Sequence, residues 1–321
     1  MKKRHKNSEK PYRIKFKEGL SIIKSMIKDK SKESKPKNNN DIPVEYLITK
    51  DLESMPDYSV VRFGHSTLLI KIENSWILTD PVFSNRASPI PFLGPKRFHE
   101  NPISIEELPF IDCVIISHDH YDHLDKKSIK KLKDKVGMFY TTLGVGEHLV
   151  RFGVSRQKIV ELGWEENKVH KNIEFVCTPA QHFSGRTLLD RNKTLWSSWV
   201  IKAPKAKLYF GADSGYFAGY KEIGLNHGPF DMTFLEVGAY NKKWRDIHMM
   251  PEDSIQAHND LKGKTMFPIH NGTFDLSLHA WYEPFKKIDL LAKEKNIDIR
   301  FPKMGEAITL LGQNTTTKWW K

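Results

Sequence analysis

Ser117-His118-Asp119-His120-Tyr121-Asp122-His123-Leu124-Asp125 follows directly on the apolar run Asp112-Cys113-Val114-Ile115-Ile116, and this junction decides the fold. Three histidines and their aspartates, packed into six residues at a strand end, form a metal-binding composition, because imidazole and carboxylate suit zinc or a similar divalent ion. In an extended loop residues i and i+2 project to the same side. His118 and His120 can therefore converge on one ion, while Asp122 and His123 reach a second. One loop supplies too few ligands for this. His182 after the run ending at Ala180, Asp213 after the run ending at Ala212, and His270 after the run ending at Ile269 are each the first strong ligand type past an apolar stretch. That spacing predicts them on the same edge of the sheets as the first loop, where functional loops belong.

Outward from this junction the chain reads as strands with helices beside them. The segments starting at Ser59, Ser66 and Ser75 are short and apolar, with Glu73-Asn74 as a turn, and predict an antiparallel meander. Further strands are expected at 112–117, 173–178, 195–202, 206–211, 231–237 and 264–269, and helices near 125–134, 145–153, 216–226 and 251–262. Asp125 is expected to cap the first of these helices. The proline-rich stretch from Pro81 to Pro102 has no periodicity and reads as a long functional loop. An α/β layered sandwich, with helices outside the sheets, accommodates this order.

At 321 residues the chain can bury a large core without disulfides, and no apolar stretch is long enough to span a membrane. Cys113 and Cys177 both fall in apolar strands, which fits packed thiols in a reduced, cytoplasmic setting. Of the net charge of +12, residues 1–40 hold +10, with fourteen Lys or Arg against four Asp or Glu; residues 41–321 carry +2. So weak a charge argues against a broad nucleic-acid surface. The chain thus divides into a basic tail and linker (1–40) and a catalytic domain (41–321). Within the tail, Phe16, Leu20, Ile23 and Ile27 recur at helical spacing after Pro11, interleaved with lysines. Such a helix suits an anionic membrane surface, placing the protein peripherally on the inner face of the cell membrane; packing on its own domain or on a second copy is the alternative. Residues 29–40 lack apolar side chains and read as a flexible linker.

The metal motif, with its separate His, Asp and His, resembles the metallo-β-lactamase superfamily, which implies an αββα sandwich. Within it, the chain is similar to the N-acyl-phosphatidylethanolamine-hydrolysing phospholipase D branch. The stretches that carry this are Leu78 to Pro89, Gly94 to Phe98, Trp164 to Asn167, Pro179 to Phe183, Arg186 to Asp190, Gly228 to Asp231 and Ile269 to Phe274. The resemblance implies two divalent ions, zinc foremost with manganese or iron as alternatives. His118, His120 and His182 would hold the first, Asp122, His123 and His270 the second, and Asp213 would bridge them. Asp122, Asp213 and His248 would serve catalysis, with Asp80 supporting a ligating histidine and Asp119, in place of a family Asn, adding charge beside the metals. The implied reaction is phosphodiester hydrolysis of an N-acyl-phosphatidylethanolamine-like lipid by a water held between the ions, with His248 protonating the leaving group. Its expected partners are a phospholipid substrate, an anionic membrane surface through the tail and a second copy in a homodimer, with no specific nucleic acid. A lactonase or sugar-phosphate hydrolase of the ascorbate-phosphate lactonase type, or a metal-dependent nuclease, would use the same centre.

Overall fold

Side-chain alternation explains the layers. In the strand Ile111–Ile116, Cys113 and Ile115 join one apolar cluster while Val114 and Ile116 join another, because successive side chains of a strand point to opposite faces. A strand covered on both faces reads as an unbroken apolar run.

The computed structural model describes residues 4–9, 12, 21, 24–25, 28–187, 189–312 and 317–320. Its strands, in chain order, are β1 (Ser59–Gly64), β2 (Thr67–Ile72), β3 (Ser75–Thr79), β4 (Ile111–Ile116), β5 (Val136–Thr142), β6 (Ile159–Leu162), β7 (Asn167–His170), β8 (Ile173–Thr178), β9 (Ser198–Lys202), β10 (Lys207–Phe210), β11 (Phe230–Glu236), β12 (Gly263–Ile269), β13 (Asp298–Ile299) and β14 (Ala307–Thr309). They form two seven-stranded sheets, ordered β14-β1-β2-β3-β4-β5-β6 and β13-β12-β11-β10-β9-β8-β7.

The space between the sheets is filled by side chains such as Ile70, Ile115, Phe175, Trp199 and Phe234. Outside the first sheet, α1 (Thr49–Ser54), α2 (Lys126–Leu132) and α3 (Gly146–Arg151) press Leu52, Ile129, Leu132 and Leu149 onto Val61, Leu69 and Val114. Outside the second, α4 (Gly219–Asn226), α5 (Pro251–Asp260) and α6 (Glu283–Glu294) press Tyr220, Ile255, Phe285 and Ile288 onto Tyr209, Leu235 and Met266. Each such fully buried apolar side chain contributes about 1.5–3 kcal/mol. This is the expected αββα order. The meander of β1 to β3 is antiparallel as expected, and Pro81 to Pro102 carries no regular element. The structure adds β5, β6, β7, β13, β14, α1 and α6 to the elements expected from periodicity.

Strand direction brings the candidate residues together. In the first sheet β1 and β3 are each antiparallel to β2, and β3, β4, β5 and β6 are parallel. In the second, β8 and β10 are each antiparallel to β9, and β10, β11 and β12 are parallel. Consequently β1, β3 and β4 end at one edge of their sheet, and β8, β10, β11 and β12 at one edge of theirs. The two edges meet where His270 N donates to His65 O, at 3.1 Å.

Within residues 29–40, expected as a flexible linker, the stretch 30–33 is tied to the domain by main-chain and charged groups. Ser31 N donates to Leu278 O (2.8 Å), Trp281 N donates to Glu33 O (2.9 Å), and Lys30 pairs with Asp275 (2.8 Å). The four apolar residues of the expected membrane helix, Phe16, Leu20, Ile23 and Ile27, lie outside the described residues. Among the described residues, no helix is long and apolar enough to cross a membrane.

Candidate metal centre

Asp213 stands just past β10, and its two carboxylate oxygens face different clusters. Oδ2 lies 3.8 Å from His118 Nε2 and 3.7 Å from His182 Nε2. His120 Nδ1 completes this group, 2.9 Å from His118 Nε2 and 3.3 Å from His182 Nε2. Oδ1 lies 3.0 Å from both His123 Nε2 and His270 Nε2. Asp122 Oδ2 sits 3.6 and 3.5 Å from those same nitrogens and 3.1 Å from His65 Nε2. The ligand atoms of His118, His120, His182 and Asp213 lie within 4.8 Å of one another, as do those of His65, Asp122, His123 and His270.

The donor set fits divalent cations. His123 Nε2, His270 Nε2 and Asp213 Oδ1 are buried with no hydrogen-bond partner among the described residues. Facing acceptors repel unless positive charge sits between them, and in the protein alone protons supply it. Burial opposes a charged His270, but the Asp213 and Asp122 carboxylates outweigh it and push the imidazole up to about 9. His123 is likewise driven well above its usual range, against burial, chiefly by Asp213 and Asp122. At the other cluster, burial holds His118 and His182 well below the ordinary histidine range. These rings are neutral, the form that ligates a metal.

A surrounding shell fixes the orientation of the rings. Asp80, just past β3, accepts from His123 Nδ1 at 2.7 Å and from Ser117 N and Oγ at 2.8 and 2.6 Å. This directs His123 Nε2 at the centre. Ser117 Oγ meets His118 Nδ1 at 2.9 Å, and His182 Nδ1 donates to Ile247 O at 2.9 Å. His248 holds its Nδ1 3.0 Å from Glu236 Oε2, while its ring lies 5.2 Å from His182 and 5.4 Å from His270. His65, Asp80, Ala212 and His270 all adopt positive φ (52°, 33°, 49° and 62°), which is costly for residues other than glycine.

All seven expected ligands are thus brought together, with Asp80 behind His123 and His248 beside them. Strand-end reasoning did not reach His65, past β1, or Glu236, the last residue of β11; both obey the same rule. The side chain of Asp119 accepts from Gly185 N (2.7 Å) and Thr194 Oγ1 (2.9 Å), so it pins the 184–194 loop and does not join the ligand clusters, while its charge, as expected, still acts on the neighbouring His120. Asp125 caps α2 as expected, accepting from Lys127 N and Ser128 N. Beside the metal loop opens a trough of about 1090 Å³, lined among others by Arg86, Tyr121, Lys126, Arg151, Phe152 and Arg186. Arg186 stacks on Tyr121 at 4.0 Å and donates to Asp119 O and Leu124 O, bracing the loop that carries the ligands.

A family model described as a beta-lactamase superfamily domain matches residues 75–271. An uncharacterized protein of Mycobacterium tuberculosis is 44% identical over 270 residues, which cover 82% of this chain and 72% of that protein. An N-acyl-phosphatidylethanolamine-hydrolyzing phospholipase D of Caenorhabditis elegans is 32% identical over 300 residues, 88% of this chain and 84% of that protein. Among solved structures, a metallo hydrolase of the archaeon Ignicoccus hospitalis superposes with a TM-score of 0.61 at 20% identity, covering 79% of this chain and 99% of that one. At this identity the likeness concerns the fold.

Proposed function

The chain belongs to the beta-lactamase superfamily of metal-dependent hydrolases, and from that membership we propose that it is a dinuclear phosphodiesterase of phospholipase D type, converting N-acyl-phosphatidylethanolamine-like lipids to phosphatidic acid and N-acylethanolamine. The observation that carries the dinuclear part is the Asp213 carboxylate, with one oxygen toward each histidine cluster. The substrate class rests on the similarity to the Caenorhabditis elegans phospholipase D across most of both chains.

His118, His120 and His182 would hold one ion, Asp122, His123 and His270 the other, and Asp213 would ligate both. Such ions, when bound, lower the pKa of a water toward neutrality and offset charge on phosphoryl oxygens. His65 Nε2, 3.1 Å from Asp122 Oδ2, orients that carboxylate within the second cluster. Glu236 is fully buried and accepts from Met249 N (2.7 Å) as well as facing His248 Nδ1. It thereby keeps the Nδ1 proton in place and leaves His248 Nε2 as the atom that hands a proton to the departing alkoxide. The bond broken is phosphorus to the ethanolamine oxygen, and the water oxygen stays on phosphorus. Six Lys or Arg against four Asp or Glu line the trough, a balance suited to lipid phosphates. The basic tail adds attraction to an anionic bilayer.

Mass spectrometry of products from N-acyl-phosphatidylethanolamine in mixed micelles tests this reading. Chelator-sensitive release of phosphatidic acid with N-acylethanolamine is expected. Diacylglycerol as the product, or turnover of small lactones alone, would overturn it.

A further inference from the structure

The N-terminal arm reaches the first metal cluster. Asn7 Oδ1 accepts from His182 N at 3.1 Å and from Trp196 Nε1 at 3.0 Å. Both partners can only donate, so the amide oxygen of Asn7 must be the atom facing them. Around it, His5 N donates to Asn192 O (2.8 Å), Ala218 N donates to Glu9 Oε1 (2.6 Å), and Arg191 donates to Tyr12 O (3.3 Å). The Tyr12 ring lies 5.7 Å from Phe183, and the Arg191 guanidinium stacks on Phe183 at 4.5 Å. Phe183 in turn packs edge-on against the His120 ring at 4.6 Å. The arm therefore fastens three separated stretches of the domain, and two of its contacts lead to ligand residues.

We propose that residues 4–9 and Tyr12 form a strap that positions the first metal cluster, with Asn7 as a positioning residue for His182 and Tyr12 as the backing for Phe183 against His120. His182 is buried, and its ring is already held at Nδ1 by Ile247 O. Among the described residues Asn7 is the partner of its main-chain N–H. Fixing backbone and ring together sets where Nε2 points, and outer partners of this kind tune metal affinity by about 10–100-fold. The strap touches His182 and, through Phe183, His120; among the described residues none of these arm contacts involves His123 or His270. Its effect is therefore confined to one of two binding events.

This inference rests on the paired-cluster reading but not on the lipid substrate. The experiment is titration of full-length protein with cobalt(II), followed by its visible absorption against a competing chelator. Asn7→Leu, which keeps size and removes the acceptor, should weaken one binding event by about 10–100-fold and leave the other unchanged. Asn7→Asp, which keeps an acceptor oxygen, should restore most of the loss. Wild-type affinity at both events in Asn7→Leu, or no recovery in Asn7→Asp, overturns the strap. If Asn7→Leu does not fold by circular dichroism, Tyr12→Ala decides: a smaller loss at the same event supports the strap, and unchanged binding rejects it. A wild-type protein that binds no cobalt would instead sink the paired-cluster reading.

Discussion

Replacing Asp80 by Asn changes one atom in a buried site and reverses one hydrogen bond. Asp80 Oδ2 sits 2.7 Å from His123 Nδ1 and 2.6 Å from Ser117 Oγ, while Oδ1 accepts from Ser117 N at 2.8 Å. An asparagine can keep its oxygen on Ser117 N, which leaves its NH2 group facing His123 Nδ1. Donor then meets donor, unless His123 gives up its Nδ1 proton and keeps one on Nε2, which removes the lone pair it would offer the second ion. The expected cost is about 10–100-fold in affinity at the second cluster, equivalent to about 1.4–2.8 kcal/mol. The metal-free protein should lose about 1–3 kcal/mol as well, because a buried donor goes unsatisfied. Zinc titration against a chromophoric chelator reads the first effect, and chemical unfolding in chelator reads the second. The first cluster, reached from Asp80 only through Ser117, should change less. Unchanged affinity at both clusters, or weakening confined to the cluster of His118, would refute the tautomer reasoning.

Glu236→Gln should lower kcat by about 10²–10⁴-fold, the range of general acid catalysis, with little change in KM; equal loss in kcat/KM and metal content would point to a structural role instead. Asp125→Ala removes the acceptor for Lys127 N and Ser128 N and should cost about 1 kcal/mol in unfolding free energy without altering metal stoichiometry. His258, on α5 with its ring nitrogen 2.8 Å from Thr233 Oγ1, is lowered by burial to about 4. The unfolded chain therefore takes up this proton first as pH falls. The resulting penalty is absent above about pH 6.5, grows through the window down to about 4 and levels near 3 kcal/mol. Unfolding free energies across that window should fall less steeply in His258→Gln.

Much of the site could be read from sequence because His118, His182, Asp213 and His270 sit within four residues of the ends of apolar strands, and strand direction then gathers those ends. His65 escaped this logic: Gly64-His65-Ser66 joins two hairpin strands, where a polar residue has an ordinary turn role. Glu236 escaped it differently. A single acid closing the run from Phe230 looks like a strand boundary, and its purpose emerges only when the chain returns twelve residues later to bring His248 beside it. Asp119 was legible only in part: its charge acts on His120 as expected, but its second task, holding Gly185 and Thr194, appears only once alternation turns its side chain away from those of His118 and His120. The arm's docking could not be read at all. The contact between Asn7 and His182 spans 175 residues and uses a main-chain N–H, which leaves no trace in composition or periodicity.

Anomalous diffraction from crystals of the zinc-loaded protein tests the central claim most directly. The account predicts two peaks about 3.5–4 Å apart, the spacing of dinuclear hydrolytic sites, one beside His118, His120 and His182 and one beside Asp122, His123 and His270, with Asp213 contacting both. A single fully occupied peak after saturation with zinc, or a pair that leaves Asp213 unligated, would contradict it.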